Sequence, residues 1–190
     1  MTDLAQPSDV TAIAGDGFDS ATVASAISWA SSIVRDYTKQ QFDLVENDVE
    51  IVTPHGYSAT LAQIPVVAVS MVEAKSIDPV TGAASYATIT AWDWAPNGIV
   101  YCTKRSVMGG WPQYMLPGGL RVTYTHGFAT VPEDITSVCA RLAFQFMTNP
   151  TFRVEHKVGG KADRWATNGG NEMTPYDLAI LDQYRVANLV

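Results

Sequence analysis

Apolar residues recur at helical spacing near both ends of the chain and at strand spacing between them. From residue 20 to about 40, Val23, Ile27, Ala30, Val34 and Tyr37 stand three or four apart, which makes one buried stripe on a helix. Asp19 or Ser20 supplies its N-cap. The rest of this helix is rich in alanine and serine, so neighbouring elements can pack close against it. A second helix starts near Pro132, whose ring suits a first helical position, while Glu133 and Asp134 complement the positive end of the dipole. Ile135, Val138, Cys139, Leu142, Ala143 and Phe146 form its apolar face, and Asn149-Pro150 stops it. A last, shorter helix follows Thr174, with Pro175 at its first position and Asp177 as the reciprocal capping-box acid. Residues 2–18 are loosely patterned and end in the turn Gly15-Asp16-Gly17-Phe18-Asp19.

Between about residues 48 and 127 the pattern changes to short runs rich in Val, Ile, Thr and Tyr, broken by Pro and Gly. The predicted strands are 49–53, 57–62, 66–74, 86–94, 98–102 and 120–125. In the last, Leu120, Val122 and Tyr124 alternate with Arg121, Thr123 and Thr125, as a half-buried antiparallel strand requires. Thr53-Pro54-His55-Gly56, Asp78-Pro79-Val80-Thr81-Gly82 and Ala95-Pro96-Asn97-Gly98 read as turns. The Gly/Pro-rich stretch before Leu120 holds Met108, Trp111, Tyr114 and Met115, apolar surface that must fold back on the sheet or be covered by a partner. Residues 152–173 carry two glycine pairs and few apolar anchors, and predict an extended arm. The fold class that follows is α+β. A small bundle of N-terminal, central and C-terminal helices carries an inserted antiparallel sheet, with parts at 1–47, 48–127 and 128–190.

Composition narrows the function. At 190 residues, 47% hydrophobic and 16% charged, the chain can bury a core and is not globally disordered. The net charge of −7 resides in the first fifty residues, where nine acids face two bases; the remainder sums to zero. Such a chain lacks the basic footprint that grips phosphate backbone, although acids suit a surface past which DNA slides. No apolar run is long enough for a membrane span, and nothing at the N-terminus reads as a signal peptide. Cys102 and Cys139 sit among apolar neighbours, which predicts buried thiols rather than a disulfide and folding in a reducing cytoplasm.

Catalytic patterns are missing from the sequence. His55, His126 and His156 stand alone, without zinc-type spacing, and His55 and His126 adjoin glycine in predicted turns. The chain has no G-x-S-x-G elbow and no phosphate-cradling glycine loop, so no cofactor, metal or catalytic residue is expected. Trp92 and Trp94 fall on one face of a predicted strand. That spacing suits a stacking platform for sugars or bases, ordinary core packing, or burial at an interface.

Several runs, in order, resemble one family. They are Ala30-Ser31-Ser32-Ile33-Val34-Arg35-Asp36-Tyr37-Thr38, Leu61-Ala62-Gln63-Ile64-Pro65-Val66-Val67-Ala68-Val69, and Leu120-Arg121-Val122-Thr123-Tyr124-Thr125-His126-Gly127-Phe128 continuing through Val131-Pro132-Glu133-Asp134-Ile135. The endings Glu155-His156-Lys157-Val158-Gly159 and Leu181-Asp182-Gln183-Tyr184-Arg185 complete the set. This order resembles the head-to-tail connector (adaptor) proteins of long-tailed bacteriophages. The longer sheet region and the glycine-rich loop before Leu120 depart from the shorter, mostly helical members.

The resemblance implies a non-enzymatic virion protein of the neck, assembled in the host cytoplasm as a ring of copies, typically twelve, beneath the portal. Its partners are then the portal protein, the stopper and the packaged DNA that passes through the channel. The expected portal-binding residues are Arg153, Lys157, Lys161, Arg164, Trp165, Tyr184, Arg185 and Leu189. Met108, Trp111, Tyr114 and Met115 are expected at a subunit or stopper interface, and Asp36, Asp43 and Glu46 along the channel. The runner-up readings are another neck or tail-completion protein and a β-rich carbohydrate-binding module.

Overall fold

The computed structural model describes residues 2–15, 17–103, 117–150, 155–158, 161–164 and 173–186, with 155–158 and 161–164 in backbone only. The chain divides into two compact units, one built from Met1–Phe42 and Val131–Arg185, the other essentially Asp43–Thr130. The fold class is α+β with antiparallel sheets.

The first unit is helical: α1 (Pro7–Ala14), α2 (Ser20–Thr38), α3 (Glu133–Thr148) and α4 (Pro175–Leu181), the last continuing into a 3-10 turn at Asp182–Tyr184. On α2 the predicted stripe is buried at Val23, Ile27, Ala30 and Val34, with Ala26, Ser31 and Thr38 added. Asp19 caps it, accepting from the Thr22 N–H at 2.9 Å and the Thr22 hydroxyl at 2.6 Å. The small residues do bring neighbours close. Ser31 Oγ accepts from the Leu4 N–H at 3.0 Å and lies 3.4 Å from Cys139 Sγ on α3. On α3 Ile135, Val138, Cys139, Leu142 and Ala143 are buried, whereas Phe146 is half-buried and stacks on Trp29 at 4.7 Å between centroids. That helix begins one residue later than predicted, with Pro132 at the N-cap position.

Two expectations for this unit need correction. The loosely patterned N-terminal segment contains α1, opened by Pro7 and by Asp9, whose carboxylate accepts from the Gln6 N–H at 2.7 Å. Its one buried helical residue, Val10, leaves no periodic signal to read. The expected extended arm holds a β-hairpin, β8 (Glu155–Val158) with β9 (Lys161–Arg164), in the register Glu155↔Arg164 through Val158↔Lys161.

The second unit holds two antiparallel sheets. Strands β1 (Val45–Val52), β3 (Val66–Ile77), β4 (Ala84–Ile89) and β7 (Leu120–His126) form one in the order β1-β7-β3-β4. Strands β2 (Ser58–Thr60), β5 (Trp92–Ala95) and β6 (Ile99–Cys102) form the other in the order β2-β6-β5. Strand β7 shows the predicted alternation, with Leu120, Val122, Tyr124 and His126 buried and the residues between them half-buried. The core joins Leu120, Val122 and Tyr124 to Val52, Ala59, Leu61, Val66, Val72, Ala74 and Val100.

The strand predicted over 86–94 is two strands. Ile89 pairs with Val72 in the larger sheet, and Trp92 pairs with Cys102 in the smaller. The chain leaves one sheet for the other at Thr90 and Ala91, a change that β-propensity cannot register because both strands have it. Gly127 follows β7 at φ +92°, and a Cβ there would stand 2.1 Å from the Asp43 carbonyl oxygen. Only glycine permits that close approach.

Candidate functional site

The polar clusters of the described residues serve the fold first. His126, expected in an open turn, is the fully buried last residue of β7, with Nε2 3.1 Å from Asp48 Oδ2 and its ring 5.0 Å from that of Tyr124. Two residues earlier, the Tyr124 hydroxyl donates to Glu50 at 2.7 Å, and both Glu50 oxygens lie 3.1 Å from the Ala62 N–H. Burial, and then the Glu50 carboxylate, push the Tyr124 phenol far above its ordinary range and keep it neutral. Asp48 and Glu50 therefore tie the edge strand β1 to its neighbour β7. His55 is exposed beside a one-residue bridge to Ser58. Among the described residues no group of three His, Cys, Asp or Glu side chains is placed to hold a metal ion.

Both cysteines are free thiols, Cys139 buried in α3 and Cys102 half-buried in β6. Burial pushes the Cys139 thiol up to about 11, away from the thiolate that nucleophilic chemistry needs. Trp92 and Trp94 are half-buried against the core of the β unit, and the Trp92 indole N–H donates to the Ile89 carbonyl at 2.9 Å.

In the helical unit a set of polar contacts holds α4 on the bundle. The Asp177 side chain is almost fully buried; it is paired with Arg141 and accepts from the Thr174 N–H at 3.0 Å and hydroxyl at 2.7 Å. The predicted capping box is thus present and is extended by an ion pair the sequence did not announce. Burial alone would raise the Asp177 carboxyl; the Thr174 hydroxyl and the Arg141 guanidinium outweigh it and hold the group below the ordinary range. Leu181 is fully buried.

Of the expected portal-binding residues, Tyr184 donates to both Asp134 oxygens at 2.9 Å and packs edge-on against Phe42. Arg185 lies over the Tyr37 ring at 5.1 Å and 3.4 Å from Asp182, which accepts from the Tyr37 hydroxyl at 2.8 Å. Lys157, Lys161 and Arg164 fall on the strands of the hairpin. Arg153, Trp165 and Leu189, and the interface candidates Met108, Trp111, Tyr114 and Met115, lie outside the described residues. Of the expected channel acids, Asp36 is exposed on α2, 3.6 Å from Lys39. Asp43 is half-buried and bridged in parallel to Phe128, and Glu46 is exposed on β1. Several other acids of the N-terminal surplus have structural partners, Asp9 and Asp19 at helix starts and Asp48 and Glu50 in the sheet.

Surface features absent from the sequence reading lie on the β unit. The solvent face of the larger sheet exposes Val49, Ile51 and Met71 around an ion pair, in which Arg121 donates twice to Glu73 at 2.6 and 2.7 Å and stacks on Tyr86. Lys75 still donates to the Gly119 carbonyl at 2.8 Å; beyond it β3 pairs with β4 alone, so residues 76–77 and 84–85 form a short two-stranded ribbon. At its tip the Asp78 carboxylate accepts from the Val80 and Thr81 N–H groups at 2.8 and 3.1 Å, and Gly82 closes the turn onto the Asp78 carbonyl. Val80 is 90% exposed. At the other end of the same strands a shallow groove of about 310 Å³ lies among Ser70, Met71, Thr88, Ile89, Thr90 and Trp92.

No protein-family model matches the sequence, and no curated protein matches it. The fold, however, is similar to chains of solved particles. One, from the neck of an empty gene transfer agent (GTA) particle computed with C6 symmetry, is 16% identical. It matches at a TM-score of 0.55 over 97% of this chain and 90% of its own. A second, from the neck of a native GTA particle computed with C12 symmetry, is 17% identical with a TM-score of 0.53, over 100% and 95% of the two chains. A third, from the virion of a native GTA particle, has 17% identity and a TM-score of 0.50 over 92% and 81%. What this chain has in common with those neck and virion proteins is the fold, along almost its whole length.

Proposed function

We propose that this protein is a structural, non-enzymatic component of the neck of a phage-type particle, a head-to-tail adaptor whose copies form a ring beneath the portal. The observation that carries the reading is the fold likeness to chains of phage-like necks solved with sixfold and twelvefold symmetry, over nearly the entire length of this chain. A local similarity would indicate a shared module; a match of 97% and 90% of the two chains argues for the same kind of subunit. The resemblance of the sequence runs to phage adaptors supports it independently. The described residues also favour it, since His126, Cys139, Trp92 and Trp94 are engaged in packing or ladder contacts.

In this reading the portal grips the hairpin arm through Arg153, Lys157, Lys161, Arg164 and Trp165, and the tail end through Tyr184, Arg185 and Leu189. The stopper or a neighbouring subunit covers Met108, Trp111, Tyr114 and Met115. Asp36, Asp43 and Glu46 face a channel in which like charge keeps DNA from adhering. An isolated two-stranded hairpin is marginal in water, so β8 and β9 gain stability by docking.

The decisive experiment mixes the purified protein with its portal and images the product. Rings on the portal are expected; their absence at micromolar concentrations of both refutes the adaptor role. Deleting everything from residue 152 would also remove α4 from the bundle, so the arm is better tested by Lys157→Glu with Lys161→Glu. Portal binding at full strength in that variant rules out the hairpin as the docking element.

A further inference from the structure

We infer that Arg185 is held ready to take a carboxylate of the protein on which the end of this chain docks, and that Tyr37 and Tyr184 are the residues that hold it. The inference rests on the adaptor reading, in which that protein is the portal. It divides the tail-end residues into one that touches the partner and two that act through it.

The last turn, Asp182–Tyr184, is fastened to the helical unit at two points. On one side the Tyr184 hydroxyl donates to both oxygens of Asp134, at the start of α3, and its ring meets that of Phe42 edge-on at 5.6 Å. Phe42 is buried, so this side belongs to the core. On the other side Asp182 Oδ1 accepts from the Tyr37 hydroxyl, on α2, at 2.8 Å. The Arg185 backbone N–H closes the turn onto the Asp182 carbonyl at 3.3 Å. Backbone and side chains together fix the point from which the Arg185 side chain departs.

That side chain is only lightly engaged within the chain. Its guanidinium carbon lies 5.1 Å from the Tyr37 ring centre, and Nη1 is 3.4 Å from the same Asp182 Oδ1. Such a length makes a weak bond, and the two side chains are 51% and 53% exposed. These are its contacts among the described residues, so donors of the planar fork remain for an outside acceptor. Arg121 and Arg141 differ, because each is committed to a carboxylate, Glu73 or Asp177, that is itself mostly buried. The Tyr37 ring restrains Arg185 before any partner arrives, which leaves little rotamer freedom to be lost on binding.

Charge selects the ligand. Asp182 stands beside Arg185, so the patch is balanced rather than basic and offers a polyanion such as DNA no net attraction. A single carboxylate matches the guanidinium fork and replaces one long contact with a bidentate pair.

The test measures binding of the full-length protein to purified portal rings. Arg185→Gln should weaken it about tenfold or more at an unchanged melting temperature, and Arg185→Lys, which lacks the fork, should restore little. Tyr37→Leu and Tyr184→Phe should each weaken portal binding in the wild-type background but not when Arg185→Gln is already present, the coupling expected of residues that act through another. Arg185→Gln that binds as tightly as wild type overturns the contact and leaves the adaptor reading standing. Equal losses from the tyrosine variants in both backgrounds overturn their positioning role. If Arg185→Gln lowers affinity for duplex DNA and not for portal, the carboxylate is the wrong ligand. Wild-type protein that fails to bind portal overturns the adaptor reading and this inference with it.

Discussion

Replacing Asp177 with alanine releases the last helix from the bundle. Three polar contacts go at once: the ion pair with Arg141 and the bonds from the Thr174 N–H and hydroxyl. The Thr174 N-cap keeps its bond from the backbone N–H at position 177, so the cost is that of the carboxylate's own contacts. Hydrogen bonds to a charged group contribute about 1.5–3 kcal/mol each, but they are not additive, and the Arg141 side chain is 37% exposed and partly screened by water. The combined loss is about 3 kcal/mol. Burial of Leu181 holds α4 by about 2 kcal/mol, which is too little to compensate. The helix therefore opens locally before the bundle unfolds.

Amide hydrogen exchange reads this directly. At neutral pH the α4 amides should exchange about 100-fold faster in the variant, since 1.4 kcal/mol corresponds to a factor of ten, while α2 and α3 keep their protection. The pH dependence has a definite sign. The Asp177 carboxyl is held below its ordinary range in the folded protein. Its stabilisation is thus present above the unfolded value, near 3.9, and is lost as pH falls through the folded value. Wild type and variant should converge once the pH lies below that folded value. A change of less than threefold at neutral pH, or a difference that persists undiminished in acid, would refute the argument that a buried carboxylate holds α4.

Further outcomes follow from single sites. Gly127→Ala places a methyl group against the Asp43 carbonyl at positive φ and should cost about 3 kcal/mol or more, seen as loss of cooperative melting of the β unit. Burial, then the bond to Asp134, push the Tyr184 phenol up to about 12. Its phenolate absorbance should appear only as the bundle unfolds in alkali, with stability declining from the ordinary tyrosine range near 10 upward, and Tyr184→Phe should remove that step. The Cys139 thiol, pushed up to about 11, should resist alkylation in the native protein and react fully in denaturant; rapid native labelling identified by peptide mass would contradict its enclosure.

The sequence by itself determined the elements whose signal is local. The stripe from Val23 to Val34, the face from Ile135 to Ala143, the alternation of Leu120 to His126, and the Thr174-Pro175-Asp177 start are all fixed by near neighbours along the chain. Periodicity and capping act over one or two turns, so they can be read without a fold. Helix α1 escaped because eight residues with a single buried position carry no period.

Only the tertiary structure decided which distant groups meet. Tyr86 to Trp94 reads as one strand, yet its halves belong to different sheets, because pairing depends on partners tens of residues away. His126 stands beside glycine and looks like a turn imidazole until β1 brings Asp48 against it. Arg141 and Asp177, 36 residues apart, gave no hint of pairing. Register and long-range packing are properties of the folded chain, and in this protein His126, Arg141 and Asp177 owe their partners to them.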